Sequence, residues 1–380
     1  MARIPFNAPS IIGQELDYIR DCIERGQLSG DGHYTRLCND LLVRLTDAHT
    51  ALLTHSCTAA LEMTAILADL GPGDEVILPS FTFVSTANAI ALRGATPVFV
   101  DIDPSTLNID PAQVADAVTE NTRAIMAVHY AGFAADMDSL AEIARAHDLL
   151  LIEDAAQALG STYKGRKCGS LGDMAAFSFH ETKNIISGEG GVITINRPDL
   201  VERAEIIREK GTNRSIFLRG QVDKYTWVDI GSSFLPGELI AAFLYAQLEN
   251  ATEINDRRVG MFNRYYDAFA DLEAKGRVKR PVIPNDTVGN GHMFYLLMRD
   301  IDDRDAFIQH MRDHAINTPF HYVPLHSAPA GQRLARAHGG TLPVTDDITA
   351  RLVRLPMYYT LPERLEEVIS VTQDYFRKAA

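Results

Sequence analysis

Along the first two-thirds of the chain, short apolar runs alternate with stretches in which polar and apolar residues are mixed. Short apolar runs, several of them continuous, are typical of strands buried on both faces. The stretches between them have the polar–apolar mixture of helices. The predicted strands cover residues 51–54, 75–78, 97–102, 124–129, 149–153, 175–179 and 191–195, and helices are predicted at 59–70, 83–93, 137–147 and 198–210. This order predicts an α/β fold with a mostly parallel seven-stranded sheet layered by helices.

The pattern of apolar and polar residues changes after about residue 250. A charged helical stretch at 255–275 leads into the proline-rich segment RPVIPND. A strand-like HMFYLLM, a helix at 303–314 and the segment TPFHYVPLH follow. The pattern predicts a large domain at 1–250 and a smaller α+β domain at 251–380, which suits a chain of 380 residues.

Composition narrows the function. The formal net charge of −14 argues against a nucleic-acid binder, because phosphates would be repelled. The four cysteines form no CxxC pair, so no structural zinc site is expected. Neither a signal-peptide run nor the roughly 20 apolar residues of a membrane span is found. We therefore expect a reduced cytoplasmic protein without a membrane partner.

The segment AAFSFHETKNIISGEGG predicts a strand, a turn that carries Lys183, and a glycine cluster. An amine on such a turn can form a Schiff base with a carbonyl cofactor. An arbitrary lysine is more often a solvated surface residue, so the neighbouring motifs decide between the two interpretations.

Asp154 follows the apolar run LLLIE and is expected at the carboxyl end of a parallel strand, where α/β sheets place their sites. There it can keep the pyridine nitrogen of pyridoxal phosphate protonated. The alternative is an N-cap for a helix at AAQALG.

Two further segments could hold the same cofactor. In THSCTAALEM a helix begins, and Ser56, Thr58 and the Ala59 amide could bind a phosphate or simply cap the helix. In PSFTFVSTAN, Phe83 or Phe81 could stack on a flat ring or belong to the core. Each signal is weak alone. Together, and in chain order, they indicate a phosphate cradle, a ring stacker, an acid and an amine.

Two further segments each allow two interpretations. His321 and His326 could suggest a metal pair, but no third ligand is near in sequence, so substrate contacts or packing are favoured and no metal is expected. The basic run REKGTNRSIFLRG is either a solvated loop or an anion-facing loop. In the second case Arg214 or Arg219 would bind a diphosphate.

At these residues the sequence resembles the fold-type I sugar aminotransferases, which depend on pyridoxal phosphate and act on nucleotide-linked keto sugars. The resemblance covers nearly the whole chain and rests on ordered motifs: PFNAP, SGDG, SCTAALEM, PSFTFVSTANA, VHYAG, EDAAQ, SFHETKN, GEGG, REKGTNRS, GSSFLP and HYVPLH.

The resemblance implies a role for each matching residue. Lys183 would be the Schiff-base lysine and proton carrier, and Asp154 would pair with the pyridinium nitrogen. Gln157 would contact the phenolic oxygen, and Phe83 would stack on the ring. The phosphate would be held by Thr58, Ala59 and Ser178, and the sugar-facing segment would include His321, Tyr322 and His326.

The resemblance also implies a homodimer with shared active sites. Many members donate an asparagine from the partner subunit to the phosphate, at the position where this chain has Ser233. The expected reaction moves an amino group from glutamate to a dTDP-4-keto-6-deoxyhexose. The alternatives are amination at C3, another nucleotide, or a catalytically silent relative that binds nucleotide sugars or regulates transcription. Lys183 argues against the branch that carries histidine there and removes a hydroxyl.

Overall fold

The computed structural model describes residues 3–378. Its strands are β1 (Thr50–Thr54), β2 (Glu75–Pro79), β3 (Thr96–Val100), β4 (Thr122–Val128), β5 (Leu150–Asp154), β6 (Thr162–Tyr163), β7 (Arg166–Lys167), β8 (Met174–Ser178), β9 (Gly191–Ile195), β10 (Thr287–Val288), β11 (Phe294–Leu297), β12 (Arg336–Ala337) and β13 (Leu352–Leu355). The central sheet has the order β1-β9-β8-β5-β4-β2-β3-β12. The predicted α/β class is confirmed, and seven of these eight strands lie where the apolar runs predicted them.

The eighth strand, β12, was not predicted. It has two residues and pairs in parallel with β3, although it comes from the C-terminal third of the chain. A strand this short carries no periodicity, so only the pairing in space reveals it.

One strand runs against the others in the central sheet. β9 is antiparallel to both of its neighbours, β1 and β8, whereas the other neighbouring pairs are parallel. The carboxyl ends of β2, β4, β5 and β8 therefore meet at one edge. The connection from β8 back into β9, residues 179–190, lies at that same edge.

Helices cover the sheet and build the C-terminal part. They are α1 (Glu15–Glu24), α2 (His33–Thr46), α3 (Cys57–Leu67), α4 (Val84–Ala91), α5 (Pro111–Ala117), α6 (Met137–Ala146), α7 (Val201–Arg208), α8 (Arg214–Leu218), α9 (Glu238–Glu249), α10 (Ala251–Ala268), α11 (Ala270–Ala274), α12 (Ile301–Asp313), α13 (Pro329–Leu334), α14 (Pro343–Arg351) and α15 (Leu365–Lys378).

Alternation along the strands divides the sheet's apolar side chains between two cores. In β4, Ile125 and Ala127 pack into the core that includes α2, α6 and α9, whereas Ala124 and Met126 pack into the core that includes α3 and α7. Successive strand residues point to opposite faces, so both faces of a buried parallel strand must be apolar. This explains why the sequence shows continuous rather than alternating runs.

A third core lies around β11 and β13 and is rich in aromatic side chains from α10, α12 and α15. It also takes in Ile4, whose backbone bridges Ile316. The pairings of Ile4 with Ile316 and of β12 with β3 both join residues before position 250 to residues after it. The division into 1–250 and 251–380 stays a prediction. In residues 3–378 no helix is both long and apolar enough to cross a membrane.

The first prediction concerns Gly191, where β9 begins. A Cβ there would lie 2.4 Å from the Cys57 amide nitrogen at the start of α3, so the backbone would have to shift. We expect Gly191→Ala to lower the thermal midpoint of the cofactor-free protein, at a cost of about 1–3 kcal/mol. Circular dichroism on heating measures this.

Gly260 is the matched control. It lies in α10, and its Cβ would meet nothing within 4 Å. Gly260→Ala should leave the midpoint unchanged or raise it, since alanine stabilises a helix interior by roughly 0.5–1 kcal/mol. A Gly191→Ala protein as stable as wild type would show that the close approach of β9 to α3 imposes no constraint.

Candidate active site

A cavity of about 790 Å³ opens at the edge of the sheet where the parallel strands end. Its walls come from β5, from the 179–190 connection, from the first turns of α3 and α4, from residues 319–322 between α12 and α13, and from β13. Nine predicted site residues line it: Ser56, Thr58, Phe83, Asp154, Gln157, Ser178, Lys183, His321 and Tyr322.

Asp154 is the last residue of β5 and is only 5% exposed. Burial raises the pKa of its carboxyl group, and a hydrogen bond from Thr86 opposes that rise. The Thr86 hydroxyl donates to Asp154 Oδ2 at 2.8 Å, and the Ala156 amide donates to Oδ1 at 3.2 Å. No helix begins after Asp154, so the alternative role as a helix cap does not apply. The carboxylate faces the cavity with two hydrogen bonds. Within residues 3–378 no basic side chain forms an ion pair with it, although the charges of Lys183 and His129 oppose the rise in its pKa.

Thr86 is a functional residue that the sequence reasoning missed. It lies in the first turn of α4, and its hydroxyl is also 2.8 Å from the hydroxyl of Thr82. The i,i+4 spacing of the two threonines was visible in PSFTFVSTAN. What they contact was not, because Asp154 lies 68 positions away.

Lys183 is held on the connection between β8 and β9. Its amide donates to the His180 carbonyl at 2.9 Å, and Phe179 is tied to Gly190 by an amide–carbonyl bond of 2.9 Å. Burial lowers the pKa of the Lys183 amine, and the charge of Arg354 lowers it further. Within residues 3–378, no side-chain acceptor forms a hydrogen bond or ion pair with its Nζ. The amine is therefore poised to bind a ligand or to accept a proton.

The start of α3 supplies the anion-binding end of the cavity. Ser56 is its N-cap, and its side chain accepts from the Ala59 amide at 3.1 Å. The hydroxyls of Thr58 and Ser85 are 2.8 Å apart. Ser56 therefore does cap the helix, and a phosphate here would share the Ala59 amide with it. The helix dipole and the remaining first-turn donors favour negative charge at this position.

The structure separates the two candidate aromatic residues. Phe81 is 1% exposed and packs against Tyr130 in the core, with ring centroids 4.8 Å apart. Phe83 precedes α4, lines the cavity and is 59% exposed. Of the two, Phe83 is the ring that a flat ligand in the cavity can reach.

Gln157 connects the cavity to the C-terminal third. Its Oε1 accepts from the Ala131 amide at 2.7 Å, and its Nε2 donates to the Tyr322 hydroxyl at 3.0 Å. The ring of Tyr322 stacks on that of His321 at 3.6 Å, and His321 Nδ1 is 2.8 Å from the Tyr130 hydroxyl. Burial lowers the pKa of His321 well below its usual value, which favours the neutral imidazole.

Five predicted residues do not line the cavity of their own chain, and one of them, Ala59, donates its amide to Ser56 beside it. Arg214 and Arg219 each form an ion pair, with Glu209 and Glu205 respectively, both at 2.8 Å. His326 is held by the Ser80 hydroxyl at 2.8 Å and by Asp346 at 3.3 Å. Ser233 is exposed. Each basic group therefore pairs with a nearby acid. Glu209 stands within the basic run and Glu205 just before it, but the sequence does not show which ion pairs form.

No metal site is formed by the histidines of HYVPLH. In the described part of the chain, one group has metal-ligand geometry: His129, Glu153 and Cys168, all buried. The Glu153 oxygens already accept from the amides of residues 169, 171 and 172 and lie 2.9 Å from His129 Nε2. His129 Nδ1 in turn accepts from the Ala135 amide. With these atoms engaged, the group packs the loop against β5 instead of presenting free ligands.

The donor set of the cavity fits pyridoxal phosphate. A helix N-terminus flanked by hydroxyl groups suits its phosphate, an exposed phenyl ring suits its flat heterocycle, and a buried carboxylate suits its protonated nitrogen. The Lys183 amine suits its carbonyl carbon.

Comparisons with known proteins agree with this geometry. GDP-perosamine synthase from Caulobacter vibrioides is 34% identical over 88% of this chain and 88% of its own length. The dTDP-4-dehydro-2,3,6-trideoxy-D-glucose 4-aminotransferase from Saccharopolyspora spinosa is 34% identical over 88% of this chain and 85% of its own. The PLP form of the putative sugar aminotransferase Spr1654 from Streptococcus pneumoniae has a TM-score of 0.90 at 26% identity, covering all of both chains.

The model of the DegT/DnrJ/EryC1/StrS aminotransferase family matches residues 9–373. The predicted fold, the aminotransferase class and the pyridoxal phosphate dependence are thereby confirmed at the level of the family. This chain belongs to the DegT/DnrJ/EryC1/StrS aminotransferase family.

Proposed function

We propose that this protein transfers the amino group of glutamate to C4 of a dTDP-4-keto-6-deoxyhexose, using pyridoxal phosphate. The observation that carries the proposal is the joint presence of buried Asp154 and unpaired Lys183 in one cavity beside the start of α3. The Saccharopolyspora relative is named as a 4-aminotransferase, which supports C4. The named relatives include both dTDP and GDP sugars, so the nucleotide rests on the sequence resemblance.

When bound, pyridoxal phosphate carries the amino group between the two substrates and stabilises the carbanion formed when a substrate carbon loses its proton. Asp154 contributes by remaining ionised against the protonated ring nitrogen. Thr86 stabilises that anion, because its hydroxyl donates to the carboxylate. A charge-assisted hydrogen bond of this kind contributes about 1.5–3 kcal/mol.

Lys183 moves the proton. Its lowered pKa increases the fraction of neutral amine near neutral pH, so Nζ can accept the proton from the donor's α-carbon. With the cofactor bound, Nζ would hold that proton and release it again before the half-reaction ends. In the sugar half-reaction Nζ performs the reverse transfer at C4.

The other cavity residues position the reacting groups. Ser178 and Thr58 would hold the phosphate of the cofactor, and Phe83 would contact its ring. Gln157, which is fixed by Ala131 and Tyr322, would offer its amide to the phenolic oxygen. His321 and Tyr322 stack on each other and offer neutral polar groups to the sugar hydroxyls.

The alternative of a silent or regulatory relative receives less support. A protein that only binds a ligand does not need an amine with a lowered pKa beside a buried carboxylate that forms no ion pair. Burying a carboxylate costs free energy, so such a protein would be more stable with an apolar residue in its place.

The protein is also proposed to act as a homodimer. Trp227, Val228 and Ile230 are exposed apolar side chains in one segment, and Trp227 is 78% exposed. That segment runs into Phe234, whose carbonyl accepts from the His55 amide beside the start of α3. An apolar surface that borders the phosphate end suits a second copy of the chain, which would bring Ser233, Arg214 and Arg219 towards the neighbouring cavity.

We expect Lys183→Ala and Asp154→Asn both to lose amino transfer, by on the order of 10²-fold or more. Only the lysine variant should lose the covalent link to the cofactor. Borohydride reduction followed by peptide mass spectrometry measures that link. Lys164→Ala is the control, because Lys164 is exposed and paired with Asp138. A Lys183→Ala protein that still turns over would contradict the assignment.

For the dimer, light scattering should give about twice the mass of one 41.9 kDa chain. Trp227→Glu should shift the protein towards monomer and reduce activity in parallel. Val288→Glu, at an exposed apolar position on β10, should do neither. A fully active wild-type monomer would rule out shared sites.

The substrate is tested by incubating the protein with glutamate and, separately, the dTDP-linked 4-keto sugar, its 3-keto isomer and the GDP-linked 4-keto sugar. We expect the new amine at C4 of the dTDP sugar, located by NMR. Amination of the 3-keto isomer alone, or a clear preference for GDP, would overturn the substrate assignment while leaving the aminotransferase chemistry intact.

A further inference from the structure

The cavity wall carries a histidine, His292, that takes no part in the proton transfer described above. It lies just before β11, lines the cavity together with Lys183 and is only 8% exposed. Its amide donates to Asn290 Oδ1 at 3.0 Å, and its carbonyl accepts from Arg258 Nη2 at 2.7 Å. The backbone of His292 is therefore fixed on both sides.

The hydrogen bonds around Asn184 determine which ring nitrogen of His292 carries the proton. Asn184 Nδ2 donates to the Asn290 carbonyl and to Asn255 Oδ1, both at 2.9 Å. The carbonyl can only accept, and Asn255 must present its oxygen because its own Nδ2 donates to the Leu159 carbonyl at 3.0 Å. Asn184 Oδ1 is thus an acceptor, and the group 3.0 Å from it, His292 Nδ1, is the donor.

The proton on Nδ1 leaves Nε2 of the same ring with a free lone pair. Burial lowers the pKa of His292 well below its usual value, and the charges of Lys183, Arg258 and Arg354 lower it further, which favours this neutral form. Across residues 3–378, no protein group donates a hydrogen bond to Nε2, and the Lys183 amine does not bond it either. His292 therefore supplies a fixed, neutral acceptor that lacks a donor.

An acceptor at this place limits the ligand groups that it can bind. Ionised carboxylates and phosphates offer only acceptors, so the anionic groups of glutamate and of the nucleotide are unsuitable. The amino group of glutamate can donate, but it is itself transferred, whereas the hydroxyl groups of the sugar stay in place. His292 is bonded to Asn184, the residue after Lys183, so a hydroxyl that it meets lies close to the carbon that exchanges a proton with Nζ.

The covalent structure of the proposed substrate identifies that hydroxyl. The keto carbon C4 has two neighbours in the sugar ring, C3 and C5. C3 carries a hydroxyl, whereas C5 carries the ring oxygen and the methyl carbon C6, neither of which can donate. The C3 hydroxyl is therefore the donor closest to the reacting carbon.

We propose that His292 Nε2 accepts a hydrogen bond from the C3 hydroxyl of the keto sugar and so selects a 3-hydroxy substrate. The inference rests on the proposed aminotransferase function and adds to it a residue that determines sugar specificity. A 3-deoxy sugar would leave a buried acceptor unpaired, and the bonds that fix His292 prevent it from turning towards another donor. The same contact would hold C4 in place for Lys183.

The experiment compares wild type with His292→Asn and His292→Gln, all as holoenzymes. Asparagine places its amide near the position of Nδ1, so it can keep the bond to Asn184 while it removes Nε2. Glutamine places its amide near Nε2 and can restore the acceptor. His314→Asn is the control, because His314 is exposed and its Nδ1 also bonds a carbonyl oxygen, that of His310.

Two measurements separate binding from the reaction. Calorimetric titration with dTDP-6-deoxyglucose and with its 3-deoxy counterpart measures sugar binding without turnover, since neither sugar has a ketone. Stopped-flow absorbance follows the half-reaction of the pyridoxamine-phosphate-loaded enzyme with the dTDP-linked 4-keto sugar and with its 3-deoxy counterpart. It also follows the half-reaction with glutamate, in which no sugar takes part.

In wild type, loss of the C3 hydroxyl should weaken binding and slow the sugar half-reaction by about 10–100-fold. His292→Asn should lose a similar factor with the 3-hydroxy sugar and should treat the two sugars alike, to within about threefold. His292→Gln should recover part of the preference. The glutamate half-reaction of His292→Asn, and all measurements on His314→Asn, should stay within about threefold of wild type.

A wild-type protein that does not distinguish the 3-hydroxy from the 3-deoxy sugar overturns the inference. So does a His292→Asn protein that loses the glutamate step as much as the sugar step, because His292 would then only hold the turn of Lys183. If His292→Asn does not fold, the preference of His292→Gln must lie below that of wild type with the glutamate step retained, and any other result overturns the inference. A wild type that reacts with glutamate but with no dTDP-linked 4-keto sugar refutes the proposed substrate, whereas equal amination of both sugars refutes the His292 contact alone.

Discussion

Burying the carboxylate of Asp154 is the condition on which the rest of the site depends. An ionised carboxylate taken out of water is unfavourable unless hydrogen bonds or a cation replace its hydration. Here Thr86 and the Ala156 amide supply two hydrogen bonds, and no described cation pairs with it. The free energy left uncompensated is what a protonated heterocycle recovers when it binds. The surroundings of Asp154 thus favour a ligand with a positive charge at this position.

The position of Asp154 follows from the topology of the sheet. Parallel pairing brings the carboxyl ends of β4, β5 and β8 to one edge, so a polar residue that ends one of these strands faces the same opening. The reversal at β9 adds the amine, because the chain must turn back at that edge between β8 and β9. Gly191 lets β9 begin against the first turn of α3, which brings the anion-binding helix terminus beside the turn that carries Lys183.

The sequence predicts those parts of the molecule whose signal is local. Buried strands appear as apolar runs. Asp154 follows one such run and Lys183 stands four residues after another, so the sheet and the presence of both residues at one edge of it could be predicted. The contacts of Thr86 and Arg354 could not be predicted, because their partners lie far along the chain. Thr86 donates a hydrogen bond to Asp154, and the guanidinium of Arg354 lies over the Phe6 ring. Arg214 illustrates the opposite error. Its positive charge is visible in sequence, but the nearby Glu209 that occupies it decides what it can bind.

The net charge of the whole protein differs in sign from several of the charged groups that line the cavity. The chain carries a net charge of −14, so its long-range field opposes the approach of anions, although salt screens that field over about 8 Å under physiological conditions. The wall of the cavity nevertheless carries the guanidinium groups of Arg258 and Arg354 and the amine of Lys183, beside the buried carboxylate of Asp154 and the exposed one of Glu189. Arg258 donates to the carbonyls of residues 291 and 292, and within residues 3–378 no acid forms an ion pair with it. An anionic ligand of the kind proposed would therefore depend on hydrogen-bond geometry inside the cavity rather than on attraction from a distance.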